Sequence, residues 1–378
     1  MSFRFDRFEC ELTASVRTEL PASWPSATDL GGLRGHIFQT REFVDAWSAS
    51  FGRRSRRLQP LFIEISTPAG ARLILLPLVL ERRRGVTILS FMDQGHADYN
   101  APLLAPEMAS LGKHIPTEFW SELFANLPRF DVLMLAKMPQ QVEGLDNPLL
   151  ALAATRHAAS SHGNDLEKSV KEIEAVLLSP KEVRSKERGL AQMGTVEFIV
   201  ARGEDSGPGM LEELIKQKQR RFEETNVPGY GENPEALAFL HAAHRSFGNS
   251  GNALICGLLV GGEVTAVQWG LVHGRRFYAL VTGFAGGKWT KYSCGRILNL
   301  RLLHWLKANG FSYFDQGYGD EAYKLKSSDT TVPLYDVIEA YSLRGRLYLW
   351  LEQLIERLRA QPLWERLRQL KWAIRRRL

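Results

Sequence analysis

Tyr292–Ser327 reads YSCGRILNLRLLHWLKANGFSYFDQGYGDEAYKLKS. Four elements follow one another in it: a turn, a helix, a strand and a loop. Ser293, Cys294 and Gly295 open the helix and Gly310 closes it; Phe311–Asp315 is a short strand ending in an acid; Gly317, Gly319, Tyr323 and Lys324 follow in a loop. A helix that begins in a glycine-containing turn leaves its first N–H groups unpaired, and those groups favour an anion. Ser293 suits the N-cap and Gly295 permits close approach of a ligand to the backbone. Arg296 puts a cation in the first turn, where the helix dipole favours acids. Two readings fit this turn: a capped helix with a surface arginine, or a start that holds a phosphate-bearing cofactor.

Asp315 ends a strand that should be buried, so it must be paired or functional. In open α/β sheets, ligands gather at the carboxyl ends of strands. The glycine loop returns Tyr323 and Lys324 to the same neighbourhood, where either can bind an anion and Tyr323 can pass a proton. Asp315, Tyr323 and Lys324 are therefore the candidate catalytic residues. Ser293, Cys294, Gly295 and Arg296 are the candidate cofactor-binding residues.

Before this stretch, Ala253–Val260, Val264–His273 and Arg275–Phe284 read as strands joined by Gly261-Gly262 and His273-Gly274 turns. Asn164–Leu178, Pro180–Met193, Met210–Thr225 and Pro234–Phe247 have helical spacing, and Thr195–Ala201 reads as a strand. The first half follows the same order: a helix over Phe38–Phe51, strands at Leu61–Ile65, Arg72–Leu80 and Val86–Met92, a polar loop Asp93–Pro102, a helix Pro116–Leu127 and a strand Phe130–Ala136. This parallel implies a duplicated domain. In the first-half loop, Asp98 and Tyr99 suit substrate recognition and equally a plain turn. Arg188 and Arg221 are the cations of the charged helices chosen to face the cleft between halves. Gln268, on a central strand, must be hydrogen-bonded if buried. These five are the candidate substrate-binding residues.

The chain has 378 residues, 44% apolar and 24% charged, enough for two domains with sizeable cores. No apolar run is long enough to span a bilayer, and the first residues lack the apolar core of a secretory signal. Three scattered cysteines give neither a disulfide framework nor metal spacing, so a cytoplasmic protein with no metal is expected. The net charge of +6 is uneven: residues 344–378 carry ten Lys or Arg against three Glu, so the other 343 residues sum to about −1. A near-neutral body argues against nucleic acid as a partner. No nucleophile elbow, P-loop or dinucleotide fingerprint is present.

The residues Ser293-Cys294-Gly295, Gly310, Phe314-Asp315 and Gly319-Asp320-Glu321-Ala322-Tyr323-Lys324 resemble the acetyltransferase domain of the GNAT superfamily in its CelD-like form, over Ala266–Glu339. That form is associated with cellulose and exopolysaccharide biosynthesis and is related to the FemAB-type transferases, which carry two tandem GNAT folds. Cys294 stands where the family pattern has proline. Arg41-Glu42-Phe43, Trp47–Gly52, Leu76-Pro77-Leu78, Asp98-Tyr99, Arg184–Gly189 and Gln219–Phe222 extend the resemblance to residues 36–340. It implies an α+β fold with mixed α/β sheets: an N-terminal GNAT-like domain (1–160), a helical linking region (161–250), a C-terminal GNAT acyltransferase domain (251–343) and a basic amphipathic helical tail (344–378). It also implies acetyl-CoA or another acyl-CoA as donor, its pyrophosphate at the helix beginning near Ser293 and its pantetheine arm between Arg276–Phe284 and Ser312–Asp315. The acceptor would be a small or sugar-linked amine or hydroxyl compound. Two alternatives accompany this reading: a non-catalytic scaffold of a polysaccharide-synthesis complex, and a transferase using aminoacyl-tRNA.

In the tail, Leu347, Leu351, Leu354 and Leu358, then Trp364, Leu367 and Ile374, recur at helical spacing on both sides of Pro362, opposite an arginine-rich face. This is the pattern of a helix lying on an anionic membrane surface at the cytoplasmic side of the inner membrane, of a terminal hairpin packed on the body, or of a helix awaiting a protein partner.

Overall fold

The computed structural model describes residues 2–5, 11–52, 57–111, 115–169, 172, 180–203 and 209–359. Their fold is α+β, with two large mixed sheets and helices packed on and between them.

In the first sheet the strands lie in the order Ser2–Phe5, Leu12–Arg17, Leu58–Ser66, Arg72–Arg83, Val86–Phe91, Val132–Pro139, Leu334–Ala340, Ala154–Arg156. Neighbours are antiparallel except Val86–Phe91 and Val132–Pro139, which run parallel. The helix Thr117–Ala125 makes that crossover, with Phe119, Trp120, Leu123 and Phe124 turned into the core. Arg72–Arg83 is apolar on both faces, as a covered central strand must be.

The second sheet has the order Val196–Arg202, Ala253–Val260, Glu263–His273, Arg276–Phe284, Tyr313–Tyr318, Ser161–Asp165, Thr330–Val332. Again three meandering strands lead through a helix, Cys294–Ala308, to a parallel strand. The repeated order expected from the sequence is thus present in both sheets.

The halves exchange strands. Leu334–Ala340, although within the 251–343 segment expected to form the C-terminal domain, pairs with Val132–Pro139 of the first sheet, with Leu334 and Val337 fully buried. Ser161–Asp165 joins the second sheet through Tyr313–Tyr318, so Asn164 begins no helix. An alternating pattern shows which face of a strand is buried but not which sheet it joins. Most of the Asn164–Leu178 reading lies outside the described residues.

One apolar cluster spans the two halves. Phe38, Phe43, Trp47 and Tyr99 from the first half pack with Leu211, Leu214, Phe239, Trp269 and Tyr278 from the second. The helices Met210–Thr225 and Pro234–Asn249 are part of this seam, and its residues are as buried as those of either domain core. The loop carrying Asp98 is thereby fixed against the second sheet.

Candidate functional site

The parallel strands Arg276–Phe284 and Tyr313–Tyr318 pair only at Arg276–Tyr278 with Tyr313–Asp315. Beyond those three pairs they part. A register shift between Trp269 and Gly270 bends the neighbouring pair at the same level. The parting leaves backbone of Ala279–Phe284 without a strand on one side, and a cavity of about 650 Å³ opens there. Its walls include Ala279, Thr282, Gly283 and Phe284 from one strand, Phe314, Gln316, Gly317 and Tyr318 from the other, and the start of the Cys294–Ala308 helix.

Ser293 has φ +56°, a left-handed conformation, and its side chain makes no cap hydrogen bond. The first turn contains no acid, and the Arg296 and Ile297 amides turn back to the Ser293 carbonyl at 2.9 and 3.2 Å. The Cys294 and Gly295 amides belong to the set that a helix leaves unpaired at its start. An added Cβ on Gly295 would meet nothing closer than Phe284 at 3.9 Å, so the approach to this turn is open. Cys294 is buried, its Sγ 3.8 Å from the Trp289 carbonyl, and burial raises its pKa, so the thiol stays protonated and packed.

Four cations face this cavity: Lys218, Arg221, Arg296 and Lys324. They stand against two acids, Asp98 and Glu321. Lys218 is lowered by burial, against the pull of Glu321, with the Lys324 and Arg221 charges adding to the lowering. Lys324 is buried, donates to the Tyr318 carbonyl at 2.5 Å and pairs with Glu321 at 3.1 Å. Tyr323 and Lys324 sit in a short helix, Ala322–Ser327, rather than in the loop read from the glycines. Two cavity-lining acceptors, Gln217 Oε1 and Asn299 Oδ1, are buried without a hydrogen-bond partner. A buried orphan acceptor costs free energy unless a donor arrives to meet it.

Asp98 reaches this cavity from the first half. Gly317 faces it so closely that a Cβ there would lie 2.7 Å from Asp98 Oδ2. Burial pushes the Asp98 carboxyl up to about 7; the Asp315 charge adds to this, and Lys324, Lys137 and the Tyr318 backbone oppose it. Tyr323 is pushed up to about 12 by partial burial and by the Glu321 and Asp98 charges, so its hydroxyl is protonated at neutral pH.

The structure brings Ser293, Cys294, Gly295, Arg296, Asp98, Arg221, Gln268, Tyr323 and Lys324 into one cavity wall. Asp315, Tyr99 and Arg188 lie outside it. Asp315 is fully buried and gripped by Arg276, whose Nη2 also donates to the Tyr99 hydroxyl at 3.0 Å. Arg188 is exposed on the helix Pro180–Ala191 and bonds back to the Arg184 carbonyl at 3.2 Å. Gln268 accepts from Thr282 and donates to the Trp269 and Val281 carbonyls, which secures the bend between the two strands.

Sequence reasoning passed over Gln217, Lys218, Asn299 and Tyr318. A signal existed for the first two. On the helix Met210–Thr225 the apolar stripe Met210, Leu211, Leu214 continues at helical spacing into Gln217 and Lys218, so these two polar groups lie on the inward side.

Residues 180–325 match the family model described as an acetyltransferase (GNAT) domain. This segment is similar to a GNAT domain. Its limits enclose the charged helices, the three-strand meander, the helix Cys294–Ala308 and the strand behind it. Among solved structures, that of FemX superposes with a TM-score of 0.55 at 10% identity, covering 84% of this chain and 95% of that one. This likeness shows a shared fold. The L-PGS structure from Bacillus licheniformis (14% identity, 75% and 85% covered, TM-score 0.45) and a tandem GNAT protein from the clavulanic acid biosynthesis pathway (12%, 79% and 87%, 0.44) align less closely. No curated protein matches the chain. Among the described residues, no group of three or more His, Cys, Asp or Glu is gathered as a metal site, and no helix is long and apolar enough to cross a membrane.

Proposed function

We propose that the GNAT domain transfers an acyl group from acyl-CoA to an amine or hydroxyl acceptor that enters between the two halves. The observation that carries this reading is the parting of Arg276–Phe284 from Tyr313–Tyr318 directly in front of the Cys294–Ala308 helix. A long donor with an anionic end and amide groups along its arm fits such a slot. Unpaired helix amides and Arg296 meet the pyrophosphate. The orphan acceptors Gln217 Oε1 and Asn299 Oδ1 meet amide N–H groups along the arm.

The thioester supplies an activated acyl carbon, so the residues around it have only to position, deprotonate and reprotonate. Asp98, with a carboxyl near 7, takes the proton that the acceptor loses as its new bond to the acyl carbon forms. Tyr323, protonated at neutral pH, is the donor that returns a proton to the departing sulfur. Lys324, held by Tyr318 and Glu321, fixes the local field between them.

Calorimetric titration of the purified chain with acetyl-CoA and with CoA tests the reading. Saturable binding of both, with an upward shift in Tm, is expected. If neither ligand gives heat or a shift at millimolar concentration, the donor is not a CoA thioester; an aminoacyl-tRNA donor or a scaffold role then takes its place.

A further inference from the structure

We infer that the helix Leu343–Arg359 is a docking surface for an anionic phospholipid bilayer. The helix rests on the first sheet by one side only. Tyr348 packs against Val86, Ile88 and Val132. Gly345 sits so close to the chain that a Cβ would come within 2.0 Å of the Asp131 carbonyl. Glu352 is paired with Arg84 of the strand turn beneath it.

The opposite side carries Leu343, Leu347, Trp350, Leu351, Leu354 and Leu358, all exposed, with Leu343 at 80% and Trp350 at 58%. A helix advances about 100° per residue, so these six fall within a sector of roughly 100° that points away from the body. Arg344 lies along one margin of that sector, and Arg346 and Arg357 along the other; all three are exposed. Glu352 pairs with Arg84 of the body, and Glu356, though exposed, falls outside the apolar sector. An apolar wedge bordered by arginines, with no acid inside it, is the charge pattern of a helix lying in an anionic interface. Trp350 is the residue type that prefers the headgroup level. The same bias runs on in the sequence, since residues 344–378 total +7 over a body near −1. A second copy of this surface would bring arginine margins together, which disfavours pairing between chains. The inference does not depend on the donor site.

Sedimentation of the full-length chain with vesicles of phosphatidylcholine, with and without phosphatidylglycerol, tests it. Pelleting is expected only with the anionic lipid and is lost as salt rises. Each of R346Q and R357Q should lower partitioning roughly fivefold. The double substitution L347E/L351E should abolish it while leaving Tm and acetyl-CoA binding unchanged. Absence of pelleting at every phosphatidylglycerol content overturns the inference, as does equal pelleting with neutral vesicles. A concentration-dependent dimer dissolved by L347E/L351E would assign the stripe to a second copy. Strong amide-exchange protection of side-chain-facing positions 343–358 in lipid-free monomer, relieved by L347E/L351E, would assign it to residues 360–378 of the same chain. Either result overturns the lipid assignment.

Discussion

Arg276 donates to Asp315 through both Nε, at 3.0 Å, and Nη2, while the same guanidinium packs over the rings of Tyr99, Tyr278 and Tyr313 at 5.0, 4.9 and 4.5 Å. Asp315 completes its shell with the Gly317 amide at 2.8 Å and the Ser161 hydroxyl at 3.4 Å. Tyr99 comes from the first half and the other rings from the second, so one ion pair pins the halves together beside the place where the strands part. Asp315 lies inside the strand Tyr313–Tyr318 and not at its end, as expected from the sequence, because pairing continues past it. It ties the two parallel strands together at their last paired position, and its charge also reaches Asp98.

Asp315→Asn should therefore weaken the fold as well as the activity. Removing one partner of a buried pair strands the other, at a cost of about 3 kcal/mol. Urea unfolding should show a lower midpoint with an unchanged slope. A variant that unfolds at the wild-type midpoint and yet loses turnover would instead put Asp315 in the chemistry.

Asp98→Asn separates the base from its surroundings. Loss of a general base should lower kcat/KM by roughly 10²–10⁴. The wild-type rate should rise with pH through about 7, as Asp98 gives up its proton, and the variant should lack that limb. Stability runs the other way. Folding raises this pKa, so the contribution of Asp98 is fully present below the ordinary carboxylate range and is lost as pH rises through about 7. Relative to wild type, Asp98→Asn should thus gain in Tm between pH 5 and pH 8. A parallel pH course of the two proteins would remove Asp98 from both roles.

The elements of this site were legible because local chemistry writes them into the chain. The Gly261-Gly262 and His273-Gly274 turns divide the meander, and the helix from Cys294 to Ala308 lies within the Ser293 and Gly310 limits read from sequence. Its assembly was not legible, because it depends on pairings between distant residues. Nothing local to Asp315 names Arg276, which stands opposite it only because two strands run parallel. Nothing in Leu334–Ala340 says that the strand returns to the first sheet. Lys324 reads as a loop cation, yet it is buried because the short helix Ala322–Ser327 turns it toward the Tyr318 carbonyl.

Gly317→Ala tests the contact between the halves. Gly317 has φ +81°, and a Cβ would press on the Asp98 carboxylate at 2.7 Å. The expected outcome is a loss of turnover of at least tenfold, with donor affinity retained, since Asp98 moves while the helix start does not. Equal weakening of CoA binding would show that the two sites are not separable in this way.

Gly295→Glu gives effects of opposite sign on folding and binding. The position has room for a side chain, with Phe284 the nearest neighbour at 3.9 Å. A carboxylate in the first turn of Cys294–Ala308 complements the helix dipole and should stabilise the helix by roughly 0.3–1 kcal/mol. The same carboxylate would occupy the place proposed for the pyrophosphate and repel it. At an intermediate dielectric this should weaken CoA binding on the order of tenfold. Thermal unfolding should therefore show an unchanged or higher Tm, and calorimetry a weaker Kd. Unchanged affinity together with a raised Tm would place the donor elsewhere and leave the helix start a structural feature.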